Sequence, residues 1–262
     1  MKSIVEFQKY KQQGIPISMV TCYDFWSASI IDETGVDAVL VGDSAAMVMH
    51  GHATTINADV EMMAFHLAAV RRGLADKLVV ADFPFLAHKR GVEFAMSAVD
   101  RFMKLGANAV KIEGAGTTAQ LIRHITESGV PVMGHVGLTP QSVHALGGFT
   151  LQGSNEAAAM RILEEARQLE DAGCFSIVLE KVPAELARKV TDSLSIPTIG
   201  IGAGAHTSGQ ILVLHDMLGF TKNFKPKFLR KYLDGFQLVK DSLSKFDSDV
   251  KSKMFPSEAE SY

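Results

Sequence analysis

AVKIEG, residues 109–114, decides how this chain is to be read. Its Ala, Val and Ile suit a strand buried on both faces, yet Lys111 and Glu113 interrupt the apolar run. Side chains two apart on a strand share a face, so Lys111 and Glu113 point one way and Val110 and Ile112 the other. Two opposite charges on one face of a buried strand need partners or a ligand, because an uncompensated buried charge is strongly unfavourable.

Working outward, seven more segments have the same short, Val/Ile/Leu-rich look: 16–24, 37–44, 77–85, 130–137, 175–182, 196–204 and 210–218. Between them lie stretches with a 3.6-residue apolar period, at 59–73, 92–106, 118–129, 155–173 and 183–194. Several of these end in Gly, the usual residue just past a helix. Strands alternating with helices, with no linker that would split the chain, predict an α/β fold: a single (β/α)8 barrel spanning residues 1–262. A short amphipathic helix precedes it, with Ser3 and Glu6 at capping-box spacing, and a polar, loosely held tail follows from about residue 246. The seventh helix is the weak unit, since only AHTS separates the last two strand candidates.

A net charge of −3 with no basic run argues against nucleic acid and anionic membrane as partners. No apolar run approaches the roughly 20 residues of a membrane span, and MKSIVEFQKYKQQG lacks the apolar stretch of a signal peptide. Cys22 and Cys174 belong to no CxxC pair and read as reduced core thiols, so a cytoplasmic protein is expected.

Polar groups recur at one structural position. Asp43, Asp82, Glu113, His135 and Glu180 each close one strand candidate, from the second to the sixth. In a (β/α)8 barrel those ends meet on one face, where active sites form, and Lys111 and Glu113 then point together into its mouth. Asp43, Asp82 and Glu113 offer hard oxygens, which favours Mg²⁺ over zinc. Such an ion keeps positions open for the carboxylate and keto oxygens of a 2-oxo acid and stabilises its enolate. Lys111 adds a point positive charge for the same oxygens, and Glu180, on a later strand, is the candidate general base. His135 is an acid, a hydrogen-bond donor or a satisfied polar residue.

Other signals are weaker. HGH (50–52) resembles a two-His metal pair but falls in a loop. GIGAG (200–204) fails the dinucleotide fingerprint because Thr207 stands where its last Gly would be. Tyr23 and Asp24 at the end of strand one, and His215 and Asp216 at the end of strand eight, are weaker pocket candidates. Met47, Met49, Met62 and Met63 read as packing.

The stretches VTCYD, LVGDS, MVMHGHATT, ADFPF, GANAVKIEG, VPVMGHVGLTPQSV, VLEKVP, PTIGIGAG and QILVLHDMLG together resemble the ketopantoate hydroxymethyltransferase family, over about residues 17–220. The resemblance implies a TIM barrel of the pyruvate/phosphoenolpyruvate-binding type. It implies hydroxymethyl transfer from 5,10-methylenetetrahydrofolate to 3-methyl-2-oxobutanoate, giving 2-dehydropantoate for pantothenate synthesis. One Mg²⁺ per subunit would sit on Asp43, Asp82 and Glu113. Substrate contacts map to Asp43, Ser44, Asp82 and Lys111, with His135 kept beside them, and the proton acceptor maps to Glu180. Homo-oligomers, often decameric, are implied too. GHATT departs from a more acidic GHDST-like form, and the tail diverges. The rival expectations are a folate-independent lyase of the same barrel, a 2-oxo-acid-binding protein without turnover, and a zinc amidohydrolase built on HGH.

Overall fold

A computed structural model describes residues 3–222 and 224–262. The described chain falls into two compact units, one running to Val213 and one starting at Leu214.

The first unit opens with α1 (Ile4–Gln13), β1 (Ile17–Thr21), α2 (Phe25–Asp32), β2 (Ala38–Val41) and α3 (Ala45–Val48). It continues with α4 (Val60–Gly73), β3 (Leu78–Asp82), α5 (Val92–Lys104), β4 (Ala109–Glu113), α6 (Thr117–Glu127) and β5 (Val132–Gly137). It ends with α7 (Glu156–Asp171), β6 (Ser176–Glu180), α8 (Ala184–Ser193), β7 (Thr198–Ile201) and β8 (Gly209–Leu212). The eight strands close into one parallel barrel in sequence order, β8 pairing back onto β1. All eight strand expectations fall on these strands, and residues 202–208 between β7 and β8 form no helix.

Local sequence explains the element ends. The Asp24, Asp59 and Asn155 side chains accept from backbone N–H groups in the first turns of α2, α4 and α7. Ser3 begins α1 with the expected pairing, its backbone N–H donating to the Glu6 carboxylate. Gly14 ends α1 at φ 66°, in the left-handed region that glycine enters without strain.

Inside the barrel, alternate strand residues stack in layers. Ile17, Met19, Ala38, Leu40, Leu78, Val80, Ala109, Met133, Val178, Ile199 and Ile211 form one buried cluster. Phe7 of α1 is fully buried in the same cluster, its ring edge-on to Phe175 with centroids 5.4 Å apart. Two and four residues on from Ala109 come Lys111 and Glu113, so the same inward face runs from apolar filling to charged mouth.

The second unit holds α9 (Leu214–Met217) and α10 (Gly235–Lys251). His215 and Asp216, expected at the end of strand eight, lie in α9 instead, because the apolar run QILVLHDML contains both a strand and a helical turn. The expected loose tail from about residue 246 begins inside α10, which runs to Lys251 before a 3-10 turn at Glu258–Glu260.

Gly137 fixes the end of β5 against β6. At φ 94°, a Cβ there would lie 2.4 Å from the carbonyl oxygen of Glu180 and 2.8 Å from a methyl of Val182. Gly137→Ala is expected to cost about 3 kcal/mol of stability in urea unfolding. A cost below about 1 kcal/mol would show that this strand end relaxes freely.

Candidate active site

Strand register decides which charges become neighbours. Asp82 of β3 pairs with Lys111 of β4, and Glu113 of β4 with His135 of β5. Gly137 of β5 pairs with Glu180 of β6. The expected residues Asp43, Ser44, Asp82, Lys111, Glu113, His135 and Glu180 all line one cavity of about 120 Å³. Thr21, Thr55 and Pro140 share its wall with apolar residues from the strands.

Lys111 donates from Nζ to Asp82 Oδ1 at 2.6 Å, with both side chains at most 5% exposed. The other Asp82 oxygen, Oδ2, accepts from the backbone N–H of Asp43 at 3.2 Å. His135 lies between two carboxylates, with Nδ1 3.4 Å from Glu113 Oε1 and Nε2 3.3 Å from Glu180 Oε2. Those separations are long for hydrogen bonds and act as charge pairs. Gln141, from the 3-10 turn Pro140–Ser142 after β5, donates Nε2–H to Asp43 Oδ2 at 2.9 Å and to the Phe83 carbonyl at 2.7 Å. Its backbone N–H donates to Glu113 Oε2 at 3.2 Å. The Tyr23 hydroxyl meets Ser44 Oγ at 2.8 Å.

The electrostatics follow from this packing. Burial holds the Asp43 carboxyl well above its usual range, and the neighbouring Asp82 and Glu113 push it further. Burial also raises Asp82, although Lys111 pulls against it. For Lys111, burial favours the neutral amine, but Asp82, Glu113 and Asp43 outweigh it and hold the ammonium charged. Burial would also raise Glu113, yet His135 and Lys111 bring it below the usual range. Burial and Lys111 disfavour a charged His135, but Glu113 and Glu180 win and raise it to about 9.

Among the described residues, no group of three or more His, Cys, Asp or Glu side chains is disposed to hold a metal ion. Asp43, Asp82 and Glu113 each already engage a protein partner. As a donor set they still fit a hard divalent cation. They line one cavity with Glu180, and Lys111 and His135 are the cationic groups in its wall. The burial and mutual repulsion that press Asp43 and Asp82 toward neutrality are what a bound dication would relieve.

The weaker expectations fall elsewhere. Asp24 caps α2 by accepting from Ser27 N–H at 2.9 Å. His50 faces His66, Nε2 to Nε2 at 2.8 Å, and His66 Nδ1 meets the Tyr23 carbonyl at 2.6 Å. His50 of the HGH stretch is thereby tied to His66 of α4. Met63 is buried as packing predicts, whereas Met49 is 39% exposed. Gln141 was the residue the sequence did not single out; it lies in GLTPQS, among several polar loop residues with nothing local to distinguish it.

Residues 1–258 match the family model described as ketopantoate hydroxymethyltransferase. A 3-methyl-2-oxobutanoate hydroxymethyltransferase of Bdellovibrio bacteriovorus is 54% identical over 262 residues, the full length of both chains. One from Coxiella burnetii is 52% identical over 96% of this chain and 95% of its own. Among solved structures, 2,3-dimethylmalate lyase, a PEP mutase/isocitrate lyase superfamily member, superposes with a TM-score of 0.60 at 17% identity, covering 95% of this chain and 99% of its own. A phosphonopyruvate hydrolase in complex with oxalate and Mg²⁺ gives 0.64 at 10% identity, over 99% and 93%. Those two likenesses establish the barrel, while the near full-length relatives and the family match establish the lineage: this chain belongs to the ketopantoate hydroxymethyltransferase family.

Proposed function

We propose that this enzyme transfers the one-carbon unit of 5,10-methylenetetrahydrofolate to 3-methyl-2-oxobutanoate, with a divalent ion, Mg²⁺ by preference, on Asp43, Asp82 and Glu113. The observation that carries the reading is the single cavity in which these three carboxylates, Lys111 and Glu180 meet. A bound ion would supply Lewis acidity to the 2-oxo acid. Lys111, held charged by its carboxylate neighbours, offers its ammonium to the oxygens of that acid, and Ser44 offers its hydroxyl.

Glu180 then accepts the proton from C3. Its side chain is 20% exposed, against at most 5% for Asp82, Lys111, Glu113 and His135, so it has the access that a proton acceptor needs. His135 sits 3.3 Å away and carries positive charge at neutral pH, which orients the Glu180 carboxylate. Water adds its oxygen to the methylene carbon of the folate, both C–N bonds of that carbon break, and the two nitrogens take the water's protons, so tetrahydrofolate leaves and a one-carbon aldehyde remains. As the C3–H bond breaks, its electron pair passes to C3 and the keto oxygen; C3 then bonds to the aldehyde carbon, the C=O electron pair goes to the aldehyde oxygen, and a proton from solvent completes the hydroxymethyl group while Glu180 returns its own proton to solvent.

The finer context follows the same reading. A cytoplasmic setting suits two free, buried thiols, Cys22 and Cys174. No helix among the described residues is long and apolar enough to cross a membrane. Small-molecule substrates rather than nucleic acid suit the net charge of −3. A homo-oligomer, which the family resemblance implies, is supported by α10. Along it Phe236, Val239, Leu243, Phe246 and Val250 recur at alternating three- and four-residue steps, each 39–64% exposed.

Glu180→Gln is expected to lower kcat by about 10²–10⁴-fold while 2-oxo acid affinity stays within a few-fold of wild type. Near-normal turnover would remove Glu180 from the role of base. Formation of 2-dehydropantoate, followed by mass, should require the folate, stop with EDTA and return with Mg²⁺. Turnover without folate would favour a lyase. For the assembly, Leu243→Asp combined with Phe246→Asp should reduce the mass measured by sedimentation; an unchanged mass would place the subunit contacts away from α10.

A further inference from the structure

Gln141 is 6% exposed, and its amide has one orientation that the surroundings accept. Both hydrogens of Nε2 are used, one on Asp43 Oδ2 at 2.9 Å and one on the Phe83 carbonyl at 2.7 Å. A flipped amide would set oxygen against oxygen at both contacts. The backbone N–H of the same residue holds Glu113 Oε2 at 3.2 Å. Phe83 directly follows Asp82, and its own N–H donates to the Lys111 carbonyl at 2.8 Å. One residue on the β5 loop therefore ties together the ends of β2, β3 and β4, the three ends that carry Asp43, Asp82 and Glu113. The remaining atom, Oε1, is a buried acceptor with no hydrogen-bond partner, an arrangement that apolar packing alone does not call for.

We propose that Gln141 is a positioning residue for the metal site: it fixes the directions of the Asp43 and Glu113 carboxylates so that they face the cation together. The inference rests on the metal reading above. Asp43 Oδ2 and Glu113 Oε2 are each occupied by a Gln141 donor, which leaves Asp43 Oδ1 and Glu113 Oε1 to face the cation; Oε1 is buried without a hydrogen-bond partner, its nearest charge being His135 Nδ1 at 3.4 Å. Donors that hold one oxygen of a ligating carboxylate set where the other points. Without those donors, nothing on the β5 loop sets the direction of either carboxylate.

Gln141→Met tests this, since it keeps side-chain length and removes both amide donors. Mn²⁺ is the probe, its free ion read by electron paramagnetic resonance during titration of full-length protein. Wild type should bind Mn²⁺, and Gln141→Met should bind it about 10–100-fold more weakly. Its kcat/KM at limiting metal should fall with that affinity and recover as metal saturates. The metal-free melting temperature, measured alongside, separates positioning from structural support. A folded Gln141→Met with a lower melting temperature but Mn²⁺ affinity within about twofold of wild type would overturn the proposal. If Gln141→Met does not fold, Gln141→Leu is read in the same way, and failure of both to fold would assign Gln141 to structure instead. Wild type that binds no Mn²⁺ would overturn the metal reading itself, which is a different result.

Discussion

The ion pair between Lys111 and Asp82 is the constraint on which the site depends. Its atoms are 2.6 Å apart with almost no access to water. Taking two charges out of water costs about what their attraction returns, so the pair contributes little net stability. Losing one partner is different, because it strands the other at a cost of about 3–5 kcal/mol. The barrel must therefore hold Asp82 and Lys111 side by side, and it does so through the β3–β4 register. A slip of one residue would turn Lys111 and Glu113 toward the helices and bring Val110 and Ile112 into the mouth.

That register is secured from below rather than from within the site. The charged layer sits on an apolar one, with Val80, Ala109, Met133 and Val178 beneath it and Phe7 at the other end. The lower layer provides the driving force for closure, whereas the upper layer gathers repulsion, with Asp43 and Asp82 both pressed toward neutrality by burial. An arrangement of this kind gives up stability to gather charge around a cavity. Gly137 belongs to the same economy of space, since its missing side chain lets β5 close on the Glu180 carbonyl.

The barrel and the strand-end charges were legible because both leave local marks. Continuous apolar runs mark strands buried on two faces, and a polar residue at the end of each run stands out against them. Where the marks were ambiguous the reading strayed. LVLHDML is apolar apart from His215 and Asp216, and periodicity in so short a run does not separate the strand that ends at Leu212 from the helix that begins at Leu214. In α10 the apolar residues at 236, 239, 243, 246 and 250 keep helical spacing, but the abundance of Ser, Asp and Lys between them looks like a tail. Gln141 and the His50–His66 contact were illegible for another reason: each depends on residues far away in the chain meeting in space. No local pattern says which polar residue of a loop will meet Asp43.

Fold and chemistry separate cleanly in this molecule. A lyase and a hydrolase share its frame at 17% and 10% identity, so the frame specifies where strand ends lie and not what they do. The chemistry must be read from how the groups at those ends differ in access to the cavity. Asp82, Lys111, Glu113 and His135 are sealed by their own contacts, which suits groups that hold charge in fixed positions. Glu180 is the carboxylate left partly open, and its neighbour His135 is pinned on its far side by Glu113. A group that must take a proton from a substrate and return it to solvent needs that opening, and a group that must orient a ligand is better without it. β4 and β6, two strands apart, thus differ in what they present to the cavity: sealed charges on one and a partly open carboxylate on the other.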